Sequence, residues 1–189
     1  HYRRQRQMCI RDRVNRAIIT HGHSDHARAG HNHVLATPQT IEIMKARYGP
    51  NCANHFQSLN YGQPLRFGGV EITLFPAGHI LGSAQVCVEY KGQRAVVTGD
   101  YKIVADSSAQ HFELVRCDLL VTEATFGLPV FQHPQPAEEI KKLLTSLATN
   151  SDRPHVIGAY ALGKSQRVIK LLREAGYEEP IYLHGAQER

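Results

Sequence analysis

The chain is 189 residues long, 42% hydrophobic and 21% charged, with a formal net charge of +5 at pH 7, enough for one substantial core or for one domain and part of a second. No apolar run approaches the roughly 18 residues of a membrane span and no apolar signal segment opens the chain, so the expectation is a cytoplasmic protein with no membrane partner. Cys9, Cys52, Cys87 and Cys117 are scattered without a CxxC pair, which argues against a disulfide framework or a cysteine zinc site and fits a reducing compartment.

In chain order, residues 1–13 come first. Arg3, Arg4, Arg6, Arg11 and Arg13 against Asp12 concentrate most of the net charge there, without apolar periodicity. We read this stretch as a basic tail or a non-native addition, and the global charge therefore says little about a polyanionic partner. Val14 to Thr20 then reads as a strand. Directly after it, His21-Gly22-His23-Ser24-Asp25-His26 packs three imidazoles and a carboxylate into six residues. Alternate residues leaving a strand point the same way, so His21 and His23 can converge on one ion, with Gly22 allowing the backbone to bend between them. Asp25 and His26 are offset towards a second ion. A histidine-rich polar loop is the plain alternative, but four ligand-type side chains at this spacing favour a two-metal site.

Val34 to Thr37 is a short strand, and Pro38 to Tyr48 a helix with proline at its start and Gly49 after its end. From Pro64 to Asp100 the pattern turns to strands: Val70 to Phe75, then Ala84 to Tyr90 pairing with Arg94 to Thr98 through a turn at Lys91-Gly92. Two further ligand candidates lie at strand ends here. His79 sits between Gly78 and Gly82, which let the backbone come close to the ions, and Asp100 closes its strand where a carboxylate can bridge two metals. Leu119 to Thr122 reads as a buried strand ending in Glu123.

Three prolines in Leu128 to Pro136 mark a compositional break. Beyond it the expected order is helix 136–149, strand 155–160, helix 165–175 and strand 181–183, the opening of a βαβ-type unit. Val168, Leu171, Leu172 and Ala175 form the apolar face of the second helix, which Gly176 stops. Gly158 to Ser165 also satisfies the P-loop pattern GxxxxGK[ST] between a strand and a helix, which taken alone points to a nucleotide binder. Bulky Tyr160 and Leu162 and the lack of a following Walker-B strand count against it. The helix start with Lys164 and Arg167 can instead hold a nucleic-acid phosphate.

The set HxHxDH, a glycine-flanked histidine and TGD after an apolar strand resembles the metallo-β-lactamase superfamily, over about residues 14–126. The resemblance implies an α/β fold, the αββα sandwich, with His21, His23 and His79 on one metal, Asp25 and His26 on the other, Asp100 bridging, and a water between the ions as nucleophile. Two divalent ions are implied, Zn²⁺ ahead of Mn²⁺. Val121 to Gly127 is similar to the acidic motif of the β-CASP branch. Together with Gly99 to Lys102 and Tyr160 to Gln166, it looks most like bacterial ligase-associated DNA exonucleases and their RNA 3′-end-processing relatives, with Glu123 supporting the ligands.

That likeness implies a domain plan of tail 1–13, metallo-β-lactamase core 14–130 and the start of a β-CASP-like domain at 131–189. Two later histidine motifs of that group do not occur in this chain, so the expectation is a fragment whose second metal is weakly held. The implied function is metal-dependent phosphodiester hydrolysis, with Asp25, Asp100 and Glu123 as the acidic catalytic set, DNA ahead of RNA as substrate, and a DNA ligase as a partner. An RNA 3′-end-processing nuclease, a (thio)ester or lactam hydrolase of the same fold, and an inactive nucleic-acid-binding module are the rivals.

Overall fold

A computed structural model describes residues 15–188; the tail expected at 1–13 lies outside them. The described residues fall into two compact units, one running to Ala105 and resuming at Ala109–Glu123, the other made of Asp106–Ser108 and the chain from Ala124 onward.

The first unit is built on two sheets. Strands β1 (Arg16–Ile18), β2 (His31–Ala36) and β3 (Ala53–Ser58) form a parallel sheet in the order β1-β2-β3. The second sheet holds β4 (Leu65–Phe67), β5 (Val70–Pro76), β6 (Ala84–Tyr90), β7 (Gln93–Val97) and β8 (Leu119–Val121) in that order, antiparallel except for the parallel β7–β8 pair. Alternation along the strands makes the layers. Val34 and Ala36 of β2 join Ile19, Ile41 and Met44 in a core beneath helix α1 (Pro38–Tyr48). Leu35 and Ile18 face the other way, onto a core of Leu59, Leu74, Ala84 and Val86 between the sheets. One helix on one sheet on a second sheet gives three of the four layers of the expected αββα sandwich among the described residues.

Local chemistry explains the elements. Thr37 caps α1 by accepting from the Thr40 amide at 3.3 Å, Pro38 occupies the first turn, and Gly49 closes the helix at φ +89°. Lys91 and Gly92 both take positive φ, +51° and +76°, as a two-residue hairpin turn requires.

Several expected elements are corrected. β1 is shorter and β2 longer than anticipated, and β3 and β4 carried too little apolar alternation to be read: in β3 only Ala53 is buried. The strand at 119–121 is not buried; Leu119, Leu120 and Val121 are all more than half exposed. Residues 155–160 and 181–183 pair with no strand among the described residues, and Val156 and Tyr182 are over 90% exposed. A β-type sequence becomes a strand only where a ladder partner receives its amides and carbonyls.

In the second unit, α2 (Pro136–Thr149) and α3 (Lys164–Glu174) bury Ile140 and Leu172 respectively. No helix among the described residues is long and apolar enough to cross a membrane.

Candidate metal centre

The ligand-type residues sit on loops that leave strand ends. The backbone turns at His23, whose carbonyl accepts from the amides of His26 and Ala27 at 3.1 and 2.7 Å. This presents His26 one turn after His21 and His23. Gly22 is needed for close approach rather than for a left-handed bend: a Cβ there would stand 2.5 Å from Cγ2 of Ile43 on α1. Arg47 of the same helix donates to the Gly22 carbonyl at 2.8 Å and pins the loop.

The His79 loop is held from three sides. Its amide and that of Ile80 donate to the buried Ser83 hydroxyl at 3.1 and 3.2 Å. The Gly82 carbonyl accepts from the Thr37 and Thr40 hydroxyls at 2.7 and 2.9 Å, and the Ser83 carbonyl from the Tyr61 hydroxyl at 2.9 Å. Burial pushes the Tyr61 phenol up to about 12, so it stays a donor. Sequence reading missed all of these supports, because a Thr or Ser within a motif looks the same whether it faces solvent or a carbonyl.

Four residues bring donor atoms together: one ligand atom each from His21, His23, His79 and Asp100 lies within 4.8 Å of every other. His21 Nε2 and His79 Nε2 are 3.1 and 3.2 Å from His23 Nδ1, and 3.7 and 3.6 Å from Asp100 Oδ2. Ligands about 2.0–2.1 Å from a tetrahedral ion are about 3.3–3.4 Å apart. The spacing and the hard-to-borderline N/O chemistry thus fit a divalent cation. The second carboxylate oxygen, Asp100 Oδ1, lies 3.4 Å from His26 Nε2, so this one residue faces both donor groups. Asp25 stands outside the four-donor cluster, with its side chain 73% exposed and Oδ2 3.7 Å from His26 Nε2. Glu123 is close enough for its charge to favour protonated His79.

The electrostatics keep the imidazoles ready to coordinate. Burial, then the neighbouring His26, His79 and His23, pulls His21 down to about 2. His79 is lowered by burial and by His23, against an opposing pull from Asp100. For His21 the folded value lies far below the unfolded 6.5, so between about 6.5 and 2 the unfolded chain binds a proton that the folded chain refuses. Stability is therefore full above about pH 6.5 and lost as the pH falls. Urea midpoints of chelator-treated protein should hold above about pH 6.5 and drop steadily from there to about pH 5, and H21Q should flatten that slope.

The second unit gives the P-loop pattern no phosphate cradle. The Ser165 hydroxyl donates to the Ala161 carbonyl at 2.9 Å, the Gly163 amide donates to Gln166 Oε1 at 2.7 Å, and Lys164 Nζ lies 4.6 Å from the centre of the Tyr160 ring. Arg167 is paired with the buried Asp106 at 3.0 Å.

Residues 2–149 match the family described as "Beta-lactamase superfamily domain". The chain is 33% identical over 173 residues, 89% of its length, to "Probable DNA ligase" from Opitutus terrae, of which this covers 16%. It is 30% identical over 136 residues, 67% of its length and 16% of the relative's, to "Endoribonuclease ysh-1" from Neurospora crassa. It is also 30% identical over 132 residues, 68% of its length and 17% of the relative's, to "Cleavage and polyadenylation specificity factor subunit 3" from Dictyostelium discoideum. The chain thus spans about a sixth of the length of these curated relatives. A crystal structure of a protein of unknown function from Enterococcus faecalis V583 shares the fold, with a TM-score of 0.58 at 16% identity, covering 84% of this chain and 44% of that one.

Proposed function

The chain belongs to the metallo-β-lactamase superfamily, and from that premise we propose that it is part of a metal-dependent nuclease, a DNA exonuclease working beside a DNA ligase in cytoplasmic repair. The observation that carries this reading is the cluster of His21, His23, His79 and Asp100, with the free oxygen of Asp100 turned to His26. In this reading the first four residues hold one ion, and Asp100, His26 and Asp25 hold a second, Zn²⁺ ahead of Mn²⁺.

Bound there, two ions would supply positive charge against phosphoryl oxygens and acidify a water. The chain's own part is to hold the donors at spacing and to keep His21 neutral at any working pH. It also places the negative charge of Glu123 near His79, where that acid supports the ligand and serves proton transfer beside Asp25 and Asp100. Residues 131–189 open a β-CASP-like domain in the same reading. Lys164 and Arg167 are its phosphate contacts, with Asp106 holding the Arg167 guanidinium by its Nε at 3.0 Å.

Support for nucleic acid as the substrate comes from the relatives, one named as a ligase and the other two as an endoribonuclease and a cleavage factor. The latter two also favour an RNA-processing endonuclease as the second reading. End-labelled single- and double-stranded DNA and RNA, incubated with the protein and Zn²⁺ or Mn²⁺, decide between them. Stepwise shortening of DNA, abolished by chelator and restored by either ion, is the expected result. Internal cuts confined to RNA would favour the second reading, and intact substrates throughout would overturn both.

A further inference from the structure

We propose that Thr20 is the positioning residue of this centre: its hydroxyl sets which nitrogen of His21 carries the proton, and its body spaces three ligand-bearing segments. The proposal rests on the metal-site reading above. Thr20 Oγ1 lies 3.1 Å from His21 Nδ1. The Thr20 carbonyl accepts from the Ala84 amide at 2.7 Å, directly after the Ser83 that holds the His79 loop. Its Cβ, Oγ1 and Cγ2 stand 2.8–3.0 Å from where a Cβ on Gly99 would be, next to Asp100. Gly99 takes φ +58°, which lets the two backbones meet there. One residue thus touches the segments that carry His21, His79 and Asp100.

The hydroxyl matters because His21 has two ways to place its proton. Held on Nε2, the proton is donated to His23 Nδ1, 3.1 Å away, and the nitrogen that faces the cluster is blocked. Held on Nδ1 and donated to Thr20 Oγ1, it leaves the Nε2 lone pair free for an ion. His21 is 0% exposed, so in the native protein bulk solvent does not compete with Thr20 as acceptor. Valine keeps the shape of threonine without the acceptor, and serine keeps the acceptor without the second methyl.

The test compares native protein, T20S and T20V by long-range ¹H–¹⁵N correlation of the imidazoles in metal-free protein and by competition titration with Zn²⁺ and Mn²⁺. The expected result is the Nδ1–H form of His21 in native protein and T20S, and a shift to Nε2–H in T20V with metal affinity about 10–100-fold weaker. T20A, which removes the hydroxyl without refilling its place, is carried through both readouts so that the comparison stands if T20V does not fold. An unchanged tautomer and affinity in T20V would overturn the proposal. So would an equal loss in T20S, since that assigns the effect to methyl packing against Gly99. If native protein bound neither ion, the nuclease reading would fall, while the metal-free tautomer comparison would still decide for or against Thr20.

Discussion

Replacing Asp100 with alanine is expected to abolish tight metal binding while leaving the metal-free fold close to native. Asp100 faces both donor groups, with Oδ2 at 3.7 and 3.6 Å from His21 and His79 and Oδ1 at 3.4 Å from His26. Its removal takes away a ligand of the first group and the link to the second. The loss in affinity should therefore exceed the roughly 10–100-fold typical of losing a residue that only supports a ligand. Thermal or urea unfolding with and without ion gives a direct readout. An ion at a hundred times its Kd adds about 2.7 kcal/mol to the native protein. In D100A that increment should fall to near zero. The proposed nuclease activity should disappear with it, and D100N, which keeps one oxygen donor, should lie between. An ion held by D100A as tightly as by native protein would remove Asp100 from the centre.

The second large effect is on folding. Gly78→Ala is expected to cost at least about 3 kcal/mol, a large part of the stability of a domain this size. Gly78 takes φ +72°, and a Cβ there would stand 2.2 Å from the Lys102 carbonyl oxygen and 3.1 Å from the Phe112 amide nitrogen. Both are backbone atoms, so no side-chain rotation relieves the clash. The crossing is itself hydrogen-bonded: Lys102 N donates to Ala77 O at 2.9 Å, Glu113 N to Pro76 O at 3.1 Å, and the buried Gln85 to both Pro76 O and Glu113 O. Gly49→Ala is the control. It also has a positive φ, +89°, but nothing within 4 Å of the added Cβ, so it keeps only the backbone strain of a glycine-favoured region and should cost less than Gly78→Ala. Equal midpoints for the two variants in urea would contradict the argument, because they would make φ alone responsible.

How much of this was legible beforehand varies with the range of the interactions. Helix α1 was readable to the residue, because Pro38 and Gly49 act through the backbone beside them, while the Thr37 cap showed only in the structure. The β6–β7 hairpin was readable for the same reason, its turn residues being adjacent. Strand 155–160 and strand 181–183 were misread from equally good β-type sequence. Their pairing depends on partners far away in the chain, which local pattern does not report. β3 was overlooked for the converse reason: an edge strand of mostly exposed polar residues forms because β2 offers it a ladder.

The glycines make the same point at the level of single residues. Gly22 looks like a hinge between two histidines and is in fact a seat for Ile43. Gly78 and Gly82 do flank the His79 loop, but what crowds them is the backbone of 102 and 112 and the start of α1. Arg167 reads as a phosphate contact in the sequence, and the structure adds a pair to Asp106, sixty-one positions earlier in the chain, that local pattern does not report.

By itself the sequence determined which chemistry this protein can hold. Imidazoles and carboxylates at alternating and turn spacings after apolar strands are ligand types in ligand order, and their identity and local geometry do not depend on the rest of the fold. The tertiary structure alone decided which of them meet. His79 and Asp100 come to His21 and His23 because two sheets pack over one apolar core, and Asp25, equally eligible on paper, stands outside that four-donor cluster, beside His26 at 3.7 Å. Convergence of donors from three segments is a property of non-local packing, and so are the Thr20, Ser83 and Tyr61 contacts that hold them there.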